Sequence, residues 1–130
     1  DMSQAVARAA GAAVPEGATG TAREAAAFAG FLAFAREHKE VYRIIDEAER
    51  ADPDSYRAHY EGTARRIAAR LEENMAEGSM RAMDSEVLAW AIMGMNVFLG
   101  LRYAVWGQDR DIADVAAAAE DLLARGTRPD

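Results

Sequence analysis

The feature that most constrains the fold of this chain is the spacing of its apolar residues, which recur at the helical period of about 3.6 residues almost everywhere. One example is the i, i+3, i+4, i+7 series of Phe28, Phe31, Leu32 and Ala35. No run of alternating β-branched residues is long enough to predict a strand. Alanine, the commonest residue, favours the helix more than any other. We therefore predict an all-α fold.

Helix-breaking and helix-capping residues divide the chain into about six helices. Pro53 suits the first position of a helix, while Gly78 and Gly107 are typical of helix ends. Thr21 and Glu24 have the spacing of a capping box at the start of the second helix. Since 130 residues suit one domain, we expect a single bundle with helices at about residues 2–13, 21–38, 41–51, 53–77, 85–106 and 109–126.

Composition and charge argue against several classes of function. The absence of cysteine excludes a disulfide framework, a zinc-thiolate site and a cysteine nucleophile, and it fits a cytoplasmic protein. The net charge of −7 argues against DNA binding by this segment itself, because affinity for phosphates depends on lysine and arginine. The longest uncharged stretch, residues 87–101, is shorter than the roughly 18 to 20 residues that cross a bilayer, so we expect no membrane span.

The sequence contains little that suggests catalysis. His38 and His59 are the only histidines, and neither belongs to a metal-ligand motif. Ser79 and Ser85 have no histidine within the reach of a known motif, and the sequence has no glycine-rich phosphate loop. We therefore expect no catalytic residue, no metal and no cofactor, and an enzyme is the least favoured function.

Two sets of apolar residues leave alternatives open. The apolar surface of the last two helices either closes the core of one chain or pairs with a second copy in a four-helix interface. A set of aromatic and methionine residues either fills the core or lines a cavity for an apolar ligand. This set comprises Phe28, Phe31, Phe34, Tyr60, Trp90, Met93 and Met95.

Several short segments together carry a family resemblance. They are VYRIIDEAE at 41–49, YRAHY at 56–60, EGSMR at 77–81, DSEVLA at 84–89, and MG at 93–94 leading to FLGLRYAVW at 98–106. Across essentially its whole length the chain resembles the C-terminal regulatory domain of TetR-type (tetracycline-repressor-like) transcriptional regulators. The glycine-leucine-arginine-aromatic run that ends in tryptophan is similar to the subgroup that regulates fatty-acid and phenylacetate degradation and senses acyl-CoA thioesters.

The resemblance implies a division of labour between this chain and a DNA-binding domain. Residues 1–13 would be the remainder of the helix that joins an absent N-terminal helix-turn-helix domain, so this segment would not bind operator DNA by itself. A hydrophobic or acyl-CoA effector in the helical core would shift that first helix and change the spacing of two DNA-binding heads. The last two helices would form the four-helix bundle of a homodimer.

The resemblance also predicts which residues carry these roles. The expected ligand-binding residues are Phe28, Phe31, Leu32, Ile45, Tyr60, Ile67, Trp90, Met93 and Val97. The candidates for an anionic head group are Arg43, Arg57 and Arg102. The expected dimer contacts are Met95, Leu99, Arg102, Ile112, Val115, Ala119, Leu122 and Leu123. The alternative is a helical oligomerisation module with a filled core and no ligand.

Overall fold

The computed structural model describes residues 2–18 and 20–129, and within them it contains six α-helices and no strand. The all-α prediction is therefore confirmed. Residues 1, 19 and 130, which the predicted domain also includes, lie outside the described part. The helices are α1 (Met2–Ala12), α2 (Gly20–Glu37), α3 (Glu40–Ala51), α4 (Pro53–Ala76), α5 (Ser85–Gly100) and α6 (Ile112–Thr127), and a π-helical segment (Leu101–Trp106) continues α5.

Aspartates begin three of these helices as N-caps. The side chains of Asp52, Asp84 and Asp111 each accept a hydrogen bond from a backbone amide in the first turn of α4, α5 and α6. Pro53 occupies the first position of α4, as predicted. The sixth helix begins at Ile112 and not at residue 109, because its cap is Asp111.

The predicted capping box at the start of α2 does not form, because Glu24 has a different partner. Its carboxylate accepts two hydrogen bonds from the guanidinium of Arg70 on α4. The first amide of α2, that of Gly20, instead donates to Oδ1 of the fully buried Asn74 at 3.1 Å. Gly20 has a φ of 62°, which glycine adopts readily, and this conformation lets the chain enter the helix beside Asn74.

Two apolar clusters make up the core, and α2 contributes to the first while α5 contributes to the second. The first cluster joins α2 to the π-helical segment and to α6, and the second joins α4 to α5. The buried members of the first are Phe28, Leu32, Ala35, Ala104, Val115, Ala116 and Ala119. Those of the second are Ala64, Ile67, Leu71, Met80, Ala89, Ile92 and Met93.

The first helix packs against α2 through small residues. A Cβ atom added at Gly30 would lie 2.7 Å from the carbonyl oxygen of Ala9 and 2.6 Å from Cβ of Ala13. Both distances are well below the 3.5 to 4.0 Å of an ordinary carbon contact, so only glycine permits this approach. The alanine-rich composition of α1 is therefore a packing requirement as well as a helix preference.

The rod formed by α5 and the π-helical segment is the most apolar part of the chain. By length and composition alone, Ser85–Trp106 is long enough to cross a membrane, and 28% of its most apolar window is buried inside the chain. The core helix of a globular protein meets the same criteria. The small buried fraction means that much apolar surface of this rod is left uncovered by its own chain.

Candidate ligand-binding site

A cavity of about 400 Å³ lies between helices α1 to α5. Its size falls within the range of about 300 to 1,000 Å³ that is typical of small-molecule sites. Most of its wall is apolar, and α1 forms one side of it through Val6, Ala7, Ala10 and Gly11. The cavity is partly open to solvent, so a ligand could enter it without unfolding the bundle.

Seven of the nine residues predicted to bind a ligand line this cavity. They come from four helices that are distant in sequence and that converge here: Phe28, Phe31, Ile45, Tyr60, Ile67, Met93 and Val97. The other two lie elsewhere. Leu32 is fully buried in the first core cluster, and Trp90 lies on the outer side of α5 with 43% of its surface exposed. The helical period predicts an apolar face for both residues. On each of their helices, however, a different side of the helix lines the cavity.

One part of the cavity wall is strongly polar. Arg23, Glu24, Arg66 and Arg70 all line it. Arg70 donates to both carboxylate oxygens of Glu24, at 2.8 and 2.9 Å, and Glu24 is almost completely buried. Arg23 pairs with the carboxylate of Glu73 at 2.8 Å. This geometry gives the cavity an apolar body and a cationic wall.

The tyrosines and the histidine of the cavity are held in their neutral forms. Burial, with the nearby phenol of Tyr56 and two acidic residues, raises the pKa of Tyr60 to about 12. Burial also raises the pKa of Tyr42, whose hydroxyl donates to the backbone oxygen of Val97 at 2.8 Å. Burial first, and then the charge of Arg66, lower the pKa of His59. Near neutral pH, the charges of the cavity wall are therefore those of its arginines and of Glu24.

The arginines predicted to hold an anionic head group lie outside this cavity. Arg43 and Arg57 are exposed and pair along their own helices with Glu47 and Glu61. Arg102 lies on the π-helical segment, bonds Asp109 at 3.1 Å and stacks over the ring of Tyr103. A helical wheel cannot separate Arg43 and Arg57 from Arg66 and Arg70, because all four lie on polar helix faces.

One signal in the sequence does indicate the polar wall. Glu24 precedes Phe28 by four residues and Phe31 by seven, so it belongs to the apolar stripe of α2 and not to its wet face. A carboxylate on a buried stripe needs a cationic partner. Arg70 is that partner, although its place on the polar face of α4 predicted exposure to water.

The predicted dimer contacts divide into three groups. Val115 and Ala119 are buried in the first core cluster because α6 packs on α2, so they have little surface to offer a second copy. Leu122 is 65% exposed, and Arg102 is also exposed. The remaining predicted contacts are partly buried against the two core clusters: Met95, Leu99 and Ile112 against the first, and Leu123 against the second.

A metal site is not built into this part of the molecule. Among residues 2–18 and 20–129, no three His, Asp or Glu side chains lie close enough together to hold a metal ion.

No protein-family model matches the chain, and no curated protein matches it significantly.

Proposed function

We propose that this chain is the effector-binding and dimerisation domain of a TetR-type transcriptional regulator, acting as a repressor in the cytoplasm. The effector is a hydrophobic small molecule or an acyl-CoA thioester. Operator DNA is bound by a helix-turn-helix domain on the N-terminal side of α1, in keeping with the net charge of −7 on the domain itself.

The observation that carries the proposal is the cavity. A bundle with a filled core leaves no space of about 400 Å³ between five helices. The walls of such a space lose packing contacts, and a ligand that fits would restore them. The ligand-free oligomerisation module, the alternative function, is therefore the less favoured of the two.

The position of α1 supports a regulatory role for the cavity. Val6, Ala7, Ala10 and Gly11 contribute one wall, so a ligand that fills the space also contacts α1. If the cavity has a different affinity for ligand in two positions of α1, the ligand shifts the balance between those positions. A DNA-binding domain attached to α1 would then respond to the ligand.

The uncovered surface of α5, the π-helical segment and α6 supports a homodimer. Val87, Phe98, Trp106 and Leu122 each expose between 64% and 72% of their surface. A groove of about 250 Å³ runs between α5 and α6 beside Leu122. Apolar surface of this kind is typical of a protein interface. The proposed dimer uses the outer sides of both helices, so Val115 and Ala119 remain in the core.

Thermal unfolding with a panel of ligands tests the proposal. We expect one or more acyl-CoA thioesters or hydrophobic acids to raise the Tm, by an amount that corresponds to about 2.7 kcal/mol when the ligand is at 100 times its Kd. The variant Val97→Phe places a ring at the cavity wall and should reduce the shift. Ile44→Phe places a ring at an exposed position of α3, outside both the cavity and the proposed dimer surface, and should leave the shift unchanged.

Two results would contradict the proposal in different ways. A flat response to the whole panel would favour the ligand-free oligomerisation module. An equal response of Val97→Phe and the unsubstituted chain would mean that the ligand binds somewhere other than this cavity.

A further inference from the structure

The polar wall of the cavity contains one arginine that differs from its neighbours. Arg23 and Arg70 each have a carboxylate partner, in Glu73 and Glu24. Among residues 2–18 and 20–129, Arg66 has no carboxylate within 4.0 Å. It lines the cavity and is also exposed to solvent, so it lies where the cavity meets water.

The guanidinium of Arg66 is held in place by its own helix. It donates to the hydroxyl oxygen of Thr63 at 3.1 Å, and that hydroxyl donates in turn to the backbone oxygen of His59 at 2.9 Å. A guanidinium has five N–H donors, and this bond uses only one of them. Thr63 therefore fixes the direction of Arg66 and leaves most of its donors for a ligand.

The surroundings of Arg66 favour an anion. Partial burial, with the charges of Arg70 and Arg65, lowers its pKa, which means that the positive charge is destabilised where it lies. A negative charge bound at this point would relieve that repulsion. Because Glu24 is already paired with Arg70 in a bidentate geometry, it is not available to do so.

The apolar part of the cavity wall indicates which chemical group the anion must carry. Phe28, Phe31, Met93 and Val97, all of them apolar, line the same cavity as Arg66. A small inorganic anion would satisfy the guanidinium and leave this space empty. A neutral hydrocarbon would fill the space and leave the guanidinium without a negatively charged partner.

We propose that the cavity binds a linear amphiphilic carboxylate, whose head group bonds Arg66 and whose hydrocarbon tail lies along Phe28, Phe31, Met93 and Val97. This inference rests on the proposed effector-binding function and adds to it the chemical class of the ligand and the residue that selects it. Arg66 is the specificity-determining residue, and Thr63 is its positioning residue.

Isothermal titration calorimetry with two ligands of equal chain length tests the inference. The probes are decanoate and decan-1-ol, at pH 8 and below the concentration at which either one aggregates. We expect the unsubstituted chain to bind decanoate at least about tenfold more tightly than decan-1-ol, because a charge-assisted hydrogen bond is gained only with the acid. We expect Arg66→Gln to lower the affinity for decanoate about tenfold or more and to change that for decan-1-ol by less than about twofold.

Arg57→Gln is the matched control, since Arg57 is an exposed arginine of the same helix that pairs with Glu61 and does not line the cavity. It should leave both affinities unchanged. If Arg66→Gln does not fold, the comparison of the two ligands on the unsubstituted chain still tests the proposal. Arg66→Lys keeps the charge and should retain part of the preference for the acid.

The outcomes separate the two proposals. Equal binding of decanoate and decan-1-ol would overturn the Arg66 subsite and leave the effector-binding function standing. A preference for decanoate that survives Arg66→Gln would also overturn the subsite. If neither probe binds and the thioester panel also gives no shift, it is the effector-binding function that fails.

Discussion

Replacing Gly100 by alanine is the sharpest test of how α3, α5 and the cavity wall fit together. A Cβ atom at this position would lie 2.0 Å from Oη of Tyr42 and 2.8 Å from Cε2 of Phe31. The Tyr42 hydroxyl cannot stay where it is, because the new Cβ atom would overlap it. In its present position this hydroxyl donates to the backbone oxygen of Val97, one helical turn before Gly100. The substitution therefore displaces two aromatic side chains and breaks a partly buried hydrogen bond.

The expected effect is the balance of three contributions. Alanine gains about 1 kcal/mol over glycine inside a helix. Overpacking of a well-fitted site costs about 1 to 3 kcal/mol, and loss of the Tyr42 hydrogen bond costs about 1 kcal/mol more. We expect a net loss of about 1 to 3 kcal/mol, or roughly 4 to 12 °C in Tm for a domain of this size.

A matched substitution makes the sign of the effect decisive. Gly62 lies in the middle of α4, and a Cβ atom there would meet its nearest neighbours, the guanidinium nitrogens of Arg66 and Arg65, at 3.6 and 3.8 Å. These are ordinary contacts, so Gly62→Ala should raise the free energy of unfolding by about 0.5 to 1 kcal/mol. Both variants are compared by thermal and urea unfolding.

The cause of the Gly100→Ala effect can be tested in the same experiment. Tyr42→Phe removes the hydroxyl that lies nearest to the new Cβ atom, so the double variant should recover part of the loss. An increase in stability in Gly100→Ala, equal to that in Gly62→Ala, would refute the reasoning, because it would mean that α3 does not pack on α5 at this point.

Three further predictions follow from the structure. Since the pKa of His59 is lowered in the fold, the unfolded chain takes up the proton first as the pH falls. The free energy of unfolding, measured with urea, should therefore be steady above about pH 6.5 and fall as the pH drops towards the pKa of the folded state. In His59→Asn this fall should be shallower. Leu122→Glu should give folded monomers in analytical ultracentrifugation, whereas Ile44→Glu, at an exposed position on α3, should not; an unchanged dimer in Leu122→Glu would remove the assigned face. Gly30→Ala should push α1 away from α2 and speed amide hydrogen exchange in α1, and unchanged exchange would mean that this contact is not close.

The fold was largely predictable because its main signals are local. Caps such as Asp52 and Asp84, the proline at position 53 and the 3.6-residue period each act within a few residues, and they fixed helix number and bounds to within about three residues. The π-helical segment was not predictable by this means. Nothing in the LRYAVW sequence at 101–106 distinguishes i+5 from i+4 bonding, and the segment continues α5 without a break.

The apolar part of the cavity could also be predicted, within limits set by helix rotation. A stripe on a helix identifies which residues avoid water, but it does not say which of two neighbouring helices each one meets. Leu32 and Phe28 illustrate the limit, since both are buried one turn apart on α2, yet only Phe28 reaches the cavity. Trp90 shows a different limit, because this aromatic residue of the apolar helix α5 was predicted to line the cavity but lies on the outer side of the helix.

The polar wall could not be deduced from helical periodicity, for a reason that is general to helical bundles. Periodicity divides α4 into an apolar side and a charged side, and it assumes that the charged side meets water. Arg66 and Arg70 lie on that charged side, but α1 and α2 cover part of it, which turns a surface into the wall of a cavity. That covering depends on contacts distant in sequence, such as the approach of Ala9 to Gly30 and the pairing of Glu24 with Arg70. A carboxylate on the buried stripe of one helix, such as Glu24, is thus the most useful sequence signal for a charged residue of another helix at the cavity wall, such as Arg70.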